Sequence, residues 1–296
     1  MTRDAATWVR TGTGPSPHVR WCLALEAPLV DLCLCDESGD TMAADQAGGL
    51  YRIDRNGAIV DLSRSFPNTH FLDWSDTGTH GAIASHDTLC WIDQNLQQQW
   101  TRTMPAEITD IAVDSHGRYV AVSVKSGSMW IFGGDKRQVV EVETLRPIHQ
   151  MGFVCLKPQL IAVADQGLAC AIDLEGDAVW TQELWMHAGD LSFTGDGSIV
   201  LIAGYQHGIQ ILNEQGEQSG AYILQGSPHR VSTGFQGQRL AAATVERQVC
   251  WLNADGDLIW DATSPDDISR LACEPLTDGF RCGLAGGRIL CLTWED

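Results

Sequence analysis

Ala169-Cys-Ala-Ile-Asp-Leu-Glu-Gly-Asp-Ala-Val-Trp-Thr-Gln-Glu183 places two short apolar-alternating runs on either side of a Glu175-Gly176 turn. That is the pattern of a β-hairpin, with side chains alternating between faces and a glycine where the backbone must reverse. Two other stretches share its grammar, Cys90-Trp-Ile-Asp-Gln-Asn-Leu-Gln-Gln-Gln-Trp100 and Cys250-Trp-Leu-Asn-Ala-Asp-Gly-Asp-Leu-Ile-Trp260. The apolar residue before the Asp or Asn of this motif recurs at Ile53, Ile92, Ile131, Ile172, Ile211, Leu252 and Leu290, at intervals of 39, 39, 41, 39, 41 and 38. A period of this length is the mark of a repeat architecture, here of seven units.

A second marker follows eight or nine residues later, at Val60, Trp100, Val140, Trp180, Gly220 and Trp260, and stepping back one period from Val60 lands on Trp21. The seventh unit runs only six residues past Leu290, so a strand around Trp21 is expected to complete it. Within a unit the pattern is four short strands. In the third they fall at 108–113, 119–124, 129–132 and 139–142, separated by Ser115-His-Gly117 and Lys125-Ser-Gly127 turns. No segment holds a helical period over ten or more residues. Seven such units predict an all-β fold: a seven-bladed β-propeller of four-stranded antiparallel blades, closed by an N-terminal strand that completes the last blade. Residues 1–18, with Gly12, Gly14, Pro15 and Pro17, are expected to form a flexible lead-in, and 19–296 a single propeller domain.

At the level of blade grammar the chain resembles two known families. Ala171-Ile-Asp-Leu-Glu-Gly-Asp-Ala-Val-Trp180 is similar to the tryptophan-docking repeat of pyrroloquinoline-quinone-type propellers, in which the Trp packs on the neighbouring blade. Leu191-Ser-Phe193 with Gly195-Asp-Gly197, and Ile111-Ala-Val113 with His116-Gly117, resemble the first turn of WD-repeat blades. Both resemblances imply a propeller. The first would imply a redox protein using a quinone, but that family is usually eight-bladed, larger and exported. The regular Gly-His and Trp-Asp pairs of WD repeats do not recur, so their hydrogen-bond tetrad is not carried over.

With 19 basic and 38 acidic residues the formal charge is −19, which repels nucleic acid and anionic membranes at long range. The start has no apolar run suited to a signal, and no stretch approaches the length of a membrane helix, so a cytoplasmic protein is expected, monomeric as an isolated domain. Cys90, Cys170 and Cys250 fall at one repeat site that other residue types fill elsewhere, and no Cys-x-x-Cys occurs. The ten cysteines therefore read as small buried hydrophobes rather than metal ligands or a redox pair.

No nucleophile elbow, phosphate loop, zinc-protease or dinucleotide motif is present. Asp173–Asp177 and Asn253–Asp257 look like calcium loops but lie where hairpin turns are required and lack the distal glutamate, so neither metal nor cofactor is called for. One constellation stands out. Ten residues past each marker lie Asp31, His70, Asp110, Gln150, Asp190, Arg230 and Arg270, each followed by an apolar residue opening the first strand of its unit. In a propeller these would ring one mouth of the central channel, with Asp45, His86, Lys125, Asp165, Tyr205, His207 and Arg247 on neighbouring loops.

Such a ring is either a binding site or a set of interblade ion pairs, for example Asp190 with Arg230 and Arg270 with Asp31 across the closure. The leading expectation is a non-enzymatic scaffold that binds a protein or peptide, a basic one favoured, through this face. The alternative is a small-molecule or hydrolase/lyase site at the channel mouth, with His70 flanked by Asp31 and Asp110 as a general base.

Overall fold

The computed structural model describes residues 6–276 and 279–294. Its strands form seven four-stranded antiparallel sheets around a channel. Blades 1 to 6 comprise residues 29–63, 71–103, 108–143, 148–183, 188–222 and 228–263. In blade 7 the strands Ile268–Cys273, Gly279–Leu284 and Arg288–Thr293 are joined by the N-terminal strand His18–Ala24, antiparallel to the last of them. The ring is thus closed by backbone hydrogen bonds between the two ends of the described chain, which leaves no gap between first and last blades. Among the described residues no helix is long and apolar enough to cross a membrane.

The sequence pattern explains the layering. Second strands such as Tyr119–Val124 are covered on both faces, so they are almost continuously apolar and buried. Outer strands such as Gln138–Glu143 alternate between half-buried and exposed residues. The apolar clusters lie between blades rather than within them: Met42 and Leu50 pack with Leu72 and Ile83, and Ala112 and Ile131 with Leu160 and Ile172. Each fully buried Val, Leu or Ile contributes on the order of 2 kcal/mol, so the blade junctions carry much of the stability.

The docking tryptophans add an outer tie. Trp21 Nε1 donates to Arg55 O at 3.1 Å and Trp100 Nε1 to Gly134 O at 2.7 Å, each on the following blade, and the Trp180 ring lies against Gly216 of blade 5. All ten cysteines are free, and burial pushes the Cys90 and Cys170 thiols up to about 11 and that of Cys250 to about 12.

Of the expected lead-in, residues 1–5 lie outside the described residues, and the described part is packed against the propeller. Thr7–Thr11 forms a 3-10 turn with Val9 fully buried and Trp8 8% exposed, packed on the outer strand of blade 6. Thr13 bridges to Asp261, and Trp294 Nε1 donates to Pro15 O at 2.7 Å. Gly12 and Gly14 permit this approach, because a Cβ at either would collide with the Asp261 or Ile259 carbonyl. The glycines that suggested looseness are there for close contact.

Candidate functional site

Six of the seven inner strands carry a register shift just before the predicted ring position, between Leu29 and Asp31, for instance, or Ile108 and Asp110. Such bulges re-aim a side chain, here toward the channel. Blade 2 is the exception, pairing Phe71 with Ala84 without a shift. Counting three residues back from the pair that closes each lower hairpin (Leu34↔Thr41, Trp74↔Gly81, Val113↔Val120 and so on) gives Asp31, Phe71, Asp110, Gln150, Asp190, Arg230 and Arg270.

His70 is therefore not a ring member. The slip arises one unit earlier. Register places Asp61, opposite Arg52, where Trp100 stands opposite Trp91, so the apolar Val60 was a false marker. His70 is exposed, and its Nδ1 accepts the amide of His86 at 3.2 Å. Asp31 bonds Leu32, Leu72 and Arg270 and Asp110 bonds Met151, so among the described residues neither carboxylate pairs with the His70 imidazole.

The ring carboxylates bond across to the next blade. Asp31 Oδ2 accepts the amide of Leu72 at 3.0 Å, Asp110 Oδ2 that of Met151 at 2.6 Å, and Asp190 Oδ2 that of Val231 at 3.0 Å. Each donor is the residue after the ring position of the next blade. One step deeper the device repeats: Asp73 accepts from Val113 at 2.6 Å, Ser192 Oγ from Thr233 at 3.0 Å and Ser232 Oγ from Cys273 at 2.8 Å. Inner strands of adjacent blades share no ladder, so these side chains satisfy amides that would otherwise face the channel unpaired.

Of the two expected ion pairs one forms. Arg270 Nε lies 2.5 Å from Asp31 Oδ1, and this carboxylate, the largest influence, holds the guanidinium above its ordinary value against the cost of burial. Arg230 instead donates to the carbonyls of Ser269 at 2.6 Å and of Gly189 and His229, and no carboxylate pairs with it among the described residues. Burial lowers its pKa, with Asp190 opposing. Burial likewise pushes the Asp110 carboxyl well up despite the nearby Arg270.

Six of the seven blade junctions thus carry an inner clamp. Among the described residues the junction of blades 4 and 5 has no such side-chain clamp and is bridged lower down by the Leu156 amide on Gly195 O at 3.0 Å. Its ring position holds Gln150, whose carboxamide meets no hydrogen-bond partner among the described residues, and its deeper position holds Gly152, over which the Phe193 ring packs. Here a cleft of about 710 Å³ opens on the ring face, with Val163, Ala164, Leu184 and Met186 as an apolar floor. Its walls carry His149, His187, His207, Asp165, Glu183, Trp185 and Tyr205. The spacing had brought Gln150, Asp165, Tyr205 and His207 to this face; it missed Trp185, which sits in an interblade loop outside the repeat markers.

The same sector holds the exposed large apolar side chains of that face. Leu145 (88% exposed), Trp185 (90%), Tyr205, Ile223 (78%) and Val245 all lie on ring-face loops of blades 4 to 6. On the opposite face, below the channel, Asp36 and Asp73 are both pushed up to about 7, chiefly by burial, with the Asp76 charge adding to it. No described group of His, Cys, Asp or Glu is arranged to hold a metal ion.

No protein-family model matches the chain and no curated protein is significantly similar to it, so neither repeat-family resemblance is supported beyond the propeller fold itself.

Proposed function

We propose that this propeller is an interaction platform that holds a protein or peptide partner on its ring face, over blades 4 to 6. The observation that carries this reading is the confinement of Leu145, Trp185, Tyr205, Ile223 and Val245 to one sector of one face, beside the cleft. Large apolar side chains grouped on an otherwise acidic surface mark contact sites, and Trp and Tyr are the residues that most often anchor them. Asp31, Asp110, Asp190, Arg230 and Arg270 support the platform rather than touch the partner, since their polar atoms bond between blades; Gln150 is the ring residue left open beside the cleft. The net charge of −19 favours a basic partner over nucleic acid or an anionic membrane.

The test is affinity capture from the native source with three baits: the wild-type chain, a Leu145→Ser/Trp185→Ala/Ile223→Ser variant, and a control with Leu156→Ser and Leu276→Ser on the opposite face. All altered side chains are exposed, so folding is preserved. A partner held by wild type and control but lost from the ring-face variant is the expected result. Equal recovery by all three baits rules out this sector.

A further inference from the structure

The cleft between blades 4 and 5 carries enough chemistry to define what enters it. We infer that it takes an arginine side chain of the partner, with the guanidinium stacked on Trp185 and Tyr205 and paired with Asp165, and an adjacent apolar residue seated on Leu184 and Met186. This rests on the platform reading and narrows it to one peptide chemistry.

Two carboxylates line the cleft, and they differ in availability. Glu183 is engaged by Arg146 Nη2 at 3.2 Å, a guanidinium that also donates to Gln166 O. Asp165 accepts the Gln166 amide at 2.9 Å and has only a long contact of 3.4 Å with His187 Nδ1, with its side chain 59% exposed. Burial would raise this carboxyl, but the Gln166 amide, His187 and His149 outweigh it and hold it below its ordinary value. Asp165 is thus ionised at neutral pH and open to a second donor.

The rings supply the rest. A cation over the face of Trp or Tyr is attracted by the ring quadrupole, and a planar guanidinium both stacks and offers several N–H donors, where an ammonium does neither as well. The Gln150 carboxamide, without a partner of its own, is a further acceptor at the inner end of the cleft. The Arg146 guanidinium at the cleft is engaged by Glu183 and Gln166 O, so an acidic ligand would face the open Asp165 carboxylate and a chain of net charge −19. Because this junction lacks an inner clamp, a side chain can enter without breaking an interblade hydrogen bond.

The test uses fluorescein-labelled Gly-Gly-Leu-Arg-Leu-Gly-Gly, with norleucine or glutamate replacing arginine in two companion peptides, titrated by anisotropy at low salt. Saturable binding of the arginine peptide is expected, weakened about fivefold or more by norleucine and likewise by Asp165→Asn, and lost in Trp185→Ala. Equal binding of the three peptides, insensitivity to Asp165→Asn, or no saturable binding of the arginine peptide overturns the inference. The platform reading is separable: a natural partner whose capture needs Trp185 but ignores Asp165→Asn preserves the platform and removes the arginine anchor, whereas equal capture by all three baits removes the platform.

Discussion

Arg270 Nε and Asp31 Oδ1 lie 2.5 Å apart, although 239 residues separate them along the chain. The same carboxylate accepts the amides of Leu32 and Leu72, so Asp31 joins blades 7, 1 and 2 at the seam where the ring closes. Both side chains are largely buried, and removing one partner of such a pair leaves an uncompensated charge. Arg270→Met is therefore expected to cost about 3–5 kcal/mol in guanidinium unfolding. Adding Asp31→Asn to that variant should recover part of the loss, because the asparagine oxygen still accepts Leu72 while the orphan charge is gone. A cost below about 1 kcal/mol for the single variant would reduce the pair to the status of a surface contact.

The clamps also predict local dynamics. Leu72, Met151 and Val231 donate their amides to Asp31, Asp110 and Asp190, whereas no side chain accepts from Leu191, the equivalent amide at the blade 4–5 junction among the described residues. Native-state hydrogen exchange should be at least about tenfold faster at Leu191 than at the three clamped amides, reflecting a lower local opening energy. Comparable protection at all four would mean that the cleft is as rigid as the clamped junctions.

The fold was legible because its information is periodic. The glycine turns and the buried second strands repeat about every forty residues, the docking tryptophans at every second unit, and each obeys short-range physics. Blade count, strand count and closure by the strand around Trp21 followed directly. The ring was legible to within one residue: six positions hold, and His70 gives way to Phe71 because the count of ten starts at Val60, where register places the marker at Asp61. Its role was not legible. Whether Asp190 faces Arg230 or the amide of Val231 depends on the distance between blades, which no spacing encodes. The cleft was hidden for a related reason, since it lies beside a Gln150 that among the described residues meets no partner across the junction, and Trp185 lies between the repeat markers.

The N-terminal segment supplies a third prediction. Trp8 packs on Trp260 with ring centroids 6.3 Å apart, Val9 is fully buried, and Trp294 stacks on Trp251 at 5.0 Å while holding Pro15 O. Trp8→Ala should cost about 3 kcal/mol, the usual range for emptying an aromatic site in a packed core. Deleting residues 1–17 should lower the melting temperature clearly. Deleting 18–24 removes a whole strand of blade 7 and should prevent cooperative folding. A melting temperature unchanged by the shorter deletion would restore the lead-in to a passive role.

The lower channel predicts an unusual pH dependence. Asp36 and Asp73 have an ordinary value of 3.8 and are pushed up to about 7 in the fold, chiefly by burial, and Asp76 is raised beside them for the same reason. A carboxyl that binds its proton more tightly folded than unfolded stabilises the fold fully below the unfolded value and loses that contribution as pH rises through the folded one. Stability should therefore increase on acidification from about pH 8 to about pH 5, by an amount on the order of a few kcal/mol. Further acidification works the other way, because Asp196, held down to about 2 chiefly by its hydrogen bonds with Ser198, loses its stabilising charge there. Asp73→Asn mimics the protonated acid, whose oxygen still accepts the Val113 amide. It should raise the melting temperature at pH 8 and flatten its rise between pH 8 and pH 5. A variant with the wild-type slope would show that Asp73 is ionised in the fold throughout this range, its charge stabilised by the amides of Val113 and Trp74.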